Sequence, residues 1–141
     1  MKVFCSLALT ICLSQFSLAA EKEEHRDNAA LFPPHHADSG KATPPAAVKL
    51  LEPAFQAKLG GTETALTWEA SQGATSYHVQ VATDPNFKWL LSDEHFVTGT
   101  KFQAKGLEKG KTYYWRVAPW KDGNLAATNK GPFSNSIFEI Q

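Results

Sequence analysis

The chain has 141 residues, 43% of them hydrophobic and 20% charged, an ordinary balance for one globular domain. Its 14 basic and 14 acidic side chains cancel, so it lacks the basic excess with which a nucleic-acid binder neutralises phosphates. Cys5 and Cys12 are the only cysteines, and both fall in a segment expected to be removed, which excludes disulfide and thiolate chemistry from the mature chain.

That segment is residues 1–20, MKVFCSLALTICLSQFSLAA. A positive start at Lys2, an apolar run from Val3 to about Leu13, and small residues before Ala20 form the three-part layout of a secretory signal. The apolar run is too short for a spanning helix. Export to the periplasm or out of the cell is therefore expected, and the absence of any Asn-x-Ser/Thr acceptor fits a bacterial setting.

Residues 21–46, EKEEHRDNAALFPPHHADSGKATPPA, carry charges, alanines and two proline pairs without an apolar period. Such a composition cannot repay the entropy of ordering and predicts a flexible tether. His25, His35 and His36 lie in it without cysteines or a fixed scaffold, and read as solvated linker residues.

From Ala47 the pattern changes to short alternating runs, so the domain is expected over 47–141. AVKLLEP reads as a first edge strand ending at Pro53. ETALTWE places Leu66 and Trp68 on one face, and YHVQVA turns Tyr77, Val79 and Val81 inward against His78 and Gln80 outward. Asp84-Pro85-Asn86 has turn chemistry. FKWLLSDEHFVTGTKFQA predicts two or three short strands broken at Ser92-Asp93-Glu94 and at Thr98-Gly99. Either Trp89 with Leu91 or Lys88 with Leu90 is then directed to the core. KTYYWRVAPW is a strand, KDGN a tight turn, and FSNSIFEIQ a last strand with Phe138 and Ile140 sharing a face. No segment keeps a helical period. Strands at this spacing predict two antiparallel sheets packed as a sandwich.

The run Tyr113-Tyr114-Trp115 then separates by parity. Tyr113, Trp115 and Val117 point inward, while Tyr114 and Arg116 point outward. Trp115 and Trp68 fill the space between sheets, and Tyr113, just past the Gly110 bend, is placed to hydrogen-bond back to the preceding corner.

These residues carry a resemblance. Leu107-x-x-Gly110-x-x-Tyr113-x-Trp115-x-Val117, with Trp68 upstream, Gly73-Ala74-x-x-Tyr77-x-Val79-x-Val81 between, ATDPNF at 82–87 and Gly131-Pro132-Phe133-Ser134 before the last strand, resembles a fibronectin type III domain of the bacterial extracytoplasmic kind. The likeness covers 47–141. It implies an all-β, immunoglobulin-like Greek-key sandwich of seven strands and a role in binding, spacing or adhesion, with no cofactor and no chemistry. The residues after Pro53 and the length of 118–130 depart from that pattern.

Few residues suggest catalysis. Asp93 and His95 can share a face that Glu94 cannot, but a polar turn leading into a strand accounts for the same letters. The domain has only His78 and His95 as histidines and no phosphate loop or HExxH, so neither an enzyme nor a metal site is expected. Lys101, Lys105, Lys109 and Lys111 read as solvated strand-edge protection. Two surfaces remain for a protein or glycan partner. One is an outer sheet face with His78, Gln80, Tyr114 and Arg116, joined by Trp89. The other is the loop 119–131, with Trp120 near its base. The expected function is an exported, non-catalytic binding or adhesion module. The alternatives are an assembly subunit that docks or self-associates, and a loop-based hydrolase inhibitor.

Overall fold

The computed structural model describes residues 38–141. The expected signal segment, Cys5, Cys12, most of the tether, and His25, His35 and His36 lie outside the described residues. Those described are all-β, with eight strands: β1 (Leu50–Glu52), β2 (Ala57–Leu59), β3 (Glu63–Trp68), β4 (Ser76–Ala82), β5 (Leu90–Val97), β6 (Lys101–Lys105), β7 (Thr112–Trp120) and β8 (Ser134–Ile140). A three-stranded sheet, β1-β3-β6, packs on a five-stranded sheet, β2-β8-β7-β4-β5.

The sandwich is the one expected, with two differences in its sheets. The first strand is divided at Pro53, so eight segments do the work of seven: β1 pairs antiparallel with β3, whereas β2 pairs parallel with β8. A proline without an N–H cannot continue the β1 ladder. The chain crosses there to the other sheet without reversing and meets β8 running the same way. The five-stranded sheet is therefore mixed.

Alternation does place the core. Leu66 and Trp68 from β3 and Ala104 from β6 meet Tyr77, Val79 and Val81 from β4, Tyr113, Trp115 and Val117 from β7, and Phe138 and Ile140 from β8. Trp68 and Trp115 are 1% and 0% exposed. Trp68 meets Tyr77 edge-on at 5.4 Å, and Tyr113 stacks on Phe138 at 5.6 Å. The Tyr113 hydroxyl accepts the backbone N–H of Glu108 at 2.9 Å, which ties the β6–β7 corner as the spacing from Gly110 predicts.

β5 departs from expectation. It is continuous through Ser92-Asp93-Glu94, and only the Thr98-Gly99 break occurs. Neither proposed inward set is buried: Trp89 is 74% exposed, and Leu90 and Leu91 are also exposed. The cause is position. β5 is the last strand of a five-stranded sheet whose partner has only three strands, and it reaches the core at Val97, not at Trp89, Leu90 or Leu91.

The N-terminal part of the domain also differs. Within the expected tether, Pro45 is buried, and residues 40–46 serve as acceptors. Leu125 N–H and Thr128 Oγ1 donate to the Lys41 carbonyl, Asn124 Nδ2 to that of Thr43, and Ser71 Oγ to that of Ala46. The packed unit thus begins before Ala47, because these bonds use main-chain carbonyls that composition does not reveal.

Candidate binding face

The outer face of the five-stranded sheet is organised by register. Gln80 lies opposite Arg116 on one side and Asp93 on the other, and Arg116 lies opposite Asn135, so one row crosses four strands. His78 is opposite Ala118 and Ser76 opposite Trp120 in the same β4–β7 ladder. Period two therefore puts Tyr114, Arg116 and Trp120 on one face. The two surfaces expected separately are one: Trp120 ends β7 and belongs to the sheet face, not to a free loop.

Over this row lie Phe87, from the turn between β4 and β5, and Lys130 and Phe133, from the segment before β8. The Arg116 guanidinium carbon sits 4.0 Å from the Phe87 ring centre and 4.2 Å from that of Phe133, and Lys130 Nζ is 4.3 Å from Phe133. Phe87 is half-buried as a platform for the guanidinium. Its turn is shaped by Asp84, whose carboxylate accepts the N–H groups of Asn86, Lys88 and Trp89, the last at 2.7 Å. Those bonds, Trp89 foremost, hold the Asp84 carboxyl below the usual carboxylate range.

Beneath the aromatics runs a directed network. Lys130 Nζ donates to His78 Nδ1 at 2.5 Å, which leaves the proton on Nε2 to be donated to Asp93 Oδ1 at 2.6 Å. Gln80 Nε2 donates to the same oxygen at 2.8 Å, and Gln80 Oε1 accepts Arg116 Nε at 2.7 Å. His78 and Gln80 point outward as the alternation predicts, yet they are only 4% and 7% exposed. The covering segment, invisible to a strand-by-strand reading, buries them. Tyr114, Arg116 and Trp120 stay half-buried. Trp120 Nε1 donates to Asp122, and its ring meets Phe96, 58% exposed, at 5.2 Å. Trp89 makes no ring contact with this cluster among the described residues. The loop after β7 is pinned by residues 40–43 and by a Trp120–Lys130 bridge.

Burial pushes the His78 imidazole below its usual range, and the nearby Lys130 and His95 push the same way against the raising effect of Asp93. Burial alone would raise the Asp93 carboxyl, but hydrogen bonds from His78 and Gln80 outweigh it and hold it low. Desolvation lowers both Arg116 and Lys130. The unfolded chain takes up a proton at His78 near pH 6.5 while the folded chain does not. It therefore binds more protons as pH falls, and stability declines below that value. Asp93 adds a second loss below its ordinary pKa of 3.8, because its folded carboxyl stays ionised longer. Thermal melting is expected to be level above about pH 7 and to fall from about pH 6.5 downward. The His78→Gln variant should lack the first part of that fall, and a wild-type midpoint rising on acidification would contradict the network.

No family model and no curated protein matches this sequence. Solved structures do. A fourth fibronectin type III domain from human is similar over 68% of this chain and 78% of its own, at 20% identity and a TM-score of 0.50. An Fn3-like protein from Clostridium thermocellum aligns over 69% of this chain and 91% of its own, at 22% identity and a TM-score of 0.45. The fold is thus fibronectin type III-like. Among the described residues no helix is long and apolar enough to cross a membrane.

Proposed function

We propose that this chain is an exported, non-catalytic binding module that engages a protein or glycan partner of the cell envelope or its surroundings through the outer face of the five-stranded sheet. One observation carries the reading: Arg116 is held between two phenylalanine rings, without a carboxylate in ion-pair range among the described residues, and is flanked by half-exposed Tyr114 and Trp120. Arginine, tyrosine and tryptophan dominate binding hot spots, and a guanidinium whose rotamer is already fixed loses less entropy on docking. Export rests on the layout of residues 1–20. The non-catalytic part rests on the fold class and the lack of a nucleophile–base pattern in the sequence.

Arg116→Ala and Trp120→Ala should each weaken capture of a specific partner from envelope extracts at least about tenfold, the scale of a hot-spot truncation. Lys58→Ala, on β2 at the far edge of the sheet, should leave capture unchanged. Equal capture by all three variants would remove the face from consideration.

A second reading, an assembly subunit, is favoured by the free edge of β5, where Leu90, Leu91 and Phe96 are exposed beside Trp89. A symmetric antiparallel pair centred on this strand opposes residues of one face only, so it sets Asp93 or Glu94 against its own copy, and like charges oppose self-association and favour a different chain. Sedimentation at increasing concentration checks this: a monomer throughout is expected, and a β5-dependent dimer would refute the electrostatic argument.

A further inference from the structure

We propose that His78, Asp93 and His95 form a site for one divalent transition ion of the zinc, copper or nickel class. This goes beyond the binding-module reading and does not depend on it. The three ligating atoms lie within 4.8 Å of one another. Asp93 Oδ1 is 2.6 Å from His78 Nε2 and 3.7 Å from His95 Nε2. Tetrahedral bonds of about 2.0–2.1 Å set donor atoms about 3.3 Å apart, a separation that the two observed distances bracket. Two imidazoles and a carboxylate suit borderline ions better than magnesium or calcium. Three protein ligands leave a position for water or for a donor from a partner.

The strand geometry that assembles the trio is specific. Tyr77 pairs with Val97 and Val79 with Glu94, so His95 and Phe96 together oppose His78. This bulge turns Phe96 into a left-handed conformation, φ 61°, and brings His95 onto the His78 ring, their centres 3.8 Å apart. Two ligands are pre-set: His78 is buried in β4, and Asp93 is oriented by the Gln80 amide. His95 is half in solvent, so it can tilt out of the stack and point its lone pair at the ion.

The protons balance without net release. His78 now carries its proton on Nε2, toward Asp93; an ion taking that place leaves the imidazole neutral with its proton on Nδ1. Lys130, which donates to Nδ1, must then swing toward solvent. Lys130 is thus a competitor built into the site, and its removal should strengthen binding.

The test is calorimetric titration of the chain with Zn²⁺ and Ni²⁺, with His25, His35 and His36 replaced by alanine so that their imidazoles do not report. One equivalent should bind. His95→Ala, an exposed change that the fold tolerates, should weaken binding at least about tenfold. Lys130→Met should tighten it, and Glu94→Ala, on the opposite face of the strand, should leave it unchanged. No saturable binding, or binding indifferent to His95→Ala, overturns the proposal. Weaker binding by Lys130→Met overturns the proton assignment on which it rests.

Discussion

Trp115→Ala is expected to destabilise the domain by about 3–5 kcal/mol, the usual loss for a buried aromatic replaced by alanine. Trp115 is fully buried in the middle of β7, between β4 and β8, and Trp68 reaches the same core from the opposite sheet. The neighbours are strand residues fixed by ladders on both sides, so the cavity cannot collapse. Small domains have about 5–15 kcal/mol in total, and a loss of this size leaves little of it. Chemical denaturation should show the midpoint falling while its slope is kept. A loss under about 1 kcal/mol would place the indole outside the sealed layer. Trp68→Ala should behave similarly.

Gly131→Ala should cost about 1–3 kcal/mol by overpacking, although only a methyl group is added. A Cβ at Gly131 would fall on the Pro45 carbonyl oxygen and 2.8 Å from Pro119 Cγ. One obstacle is backbone and the other a ring, so neither can swing aside, and the Gly131 N–H is already bonded to the Pro119 carbonyl. Relief requires residues 38–46 to part from the loop after β7. Because Lys130 and Phe133 flank this glycine, the cover over His78 should loosen with it. The expected results are a lower melting temperature and faster exchange of the amides of Leu125, Thr128 and Gly131. Gly60→Ala serves as control, since nothing lies within 4 Å of its added carbon; equal losses at both glycines would refute the junction.

Period-two patterning was enough to place Leu66, Trp68, Trp115 and Phe138 in one core, and the Gly110 to Tyr113 spacing was enough for the corner bond. These features depend on neighbours within one strand or one turn. The face over Arg116 depends on more. The Asn135-Arg116-Gln80-Asp93 row exists only once four strands are in register, and the His78–His95 stack requires a bulge that no local residue choice announces. Phe133, read as the start of the last strand, and Lys130, read as part of the loop 119–131, reach the row from the segment before β8. The docking of residues 40–46 was hidden for a different reason: its acceptors are main-chain carbonyls, which every residue type has. The sequence therefore named His78, Gln80, Tyr114, Arg116 and Trp89 as one surface group and Trp120 as part of another, but could not tell that His78 and Gln80 lie under a roof or that Trp120 joins their face.

Hydrogen exchange at the four indole N–H groups tests the central claim most directly. Trp68 and Trp115 carry buried indole nitrogens without an acceptor among the described residues, whereas the Trp89 ring is largely in solvent. Sealed between the sheets, the Trp68 and Trp115 protons should exchange only when the whole domain opens, at rates that track its global stability, while that of Trp89 exchanges at once. Rapid exchange at either Trp68 or Trp115 under native conditions would contradict the account.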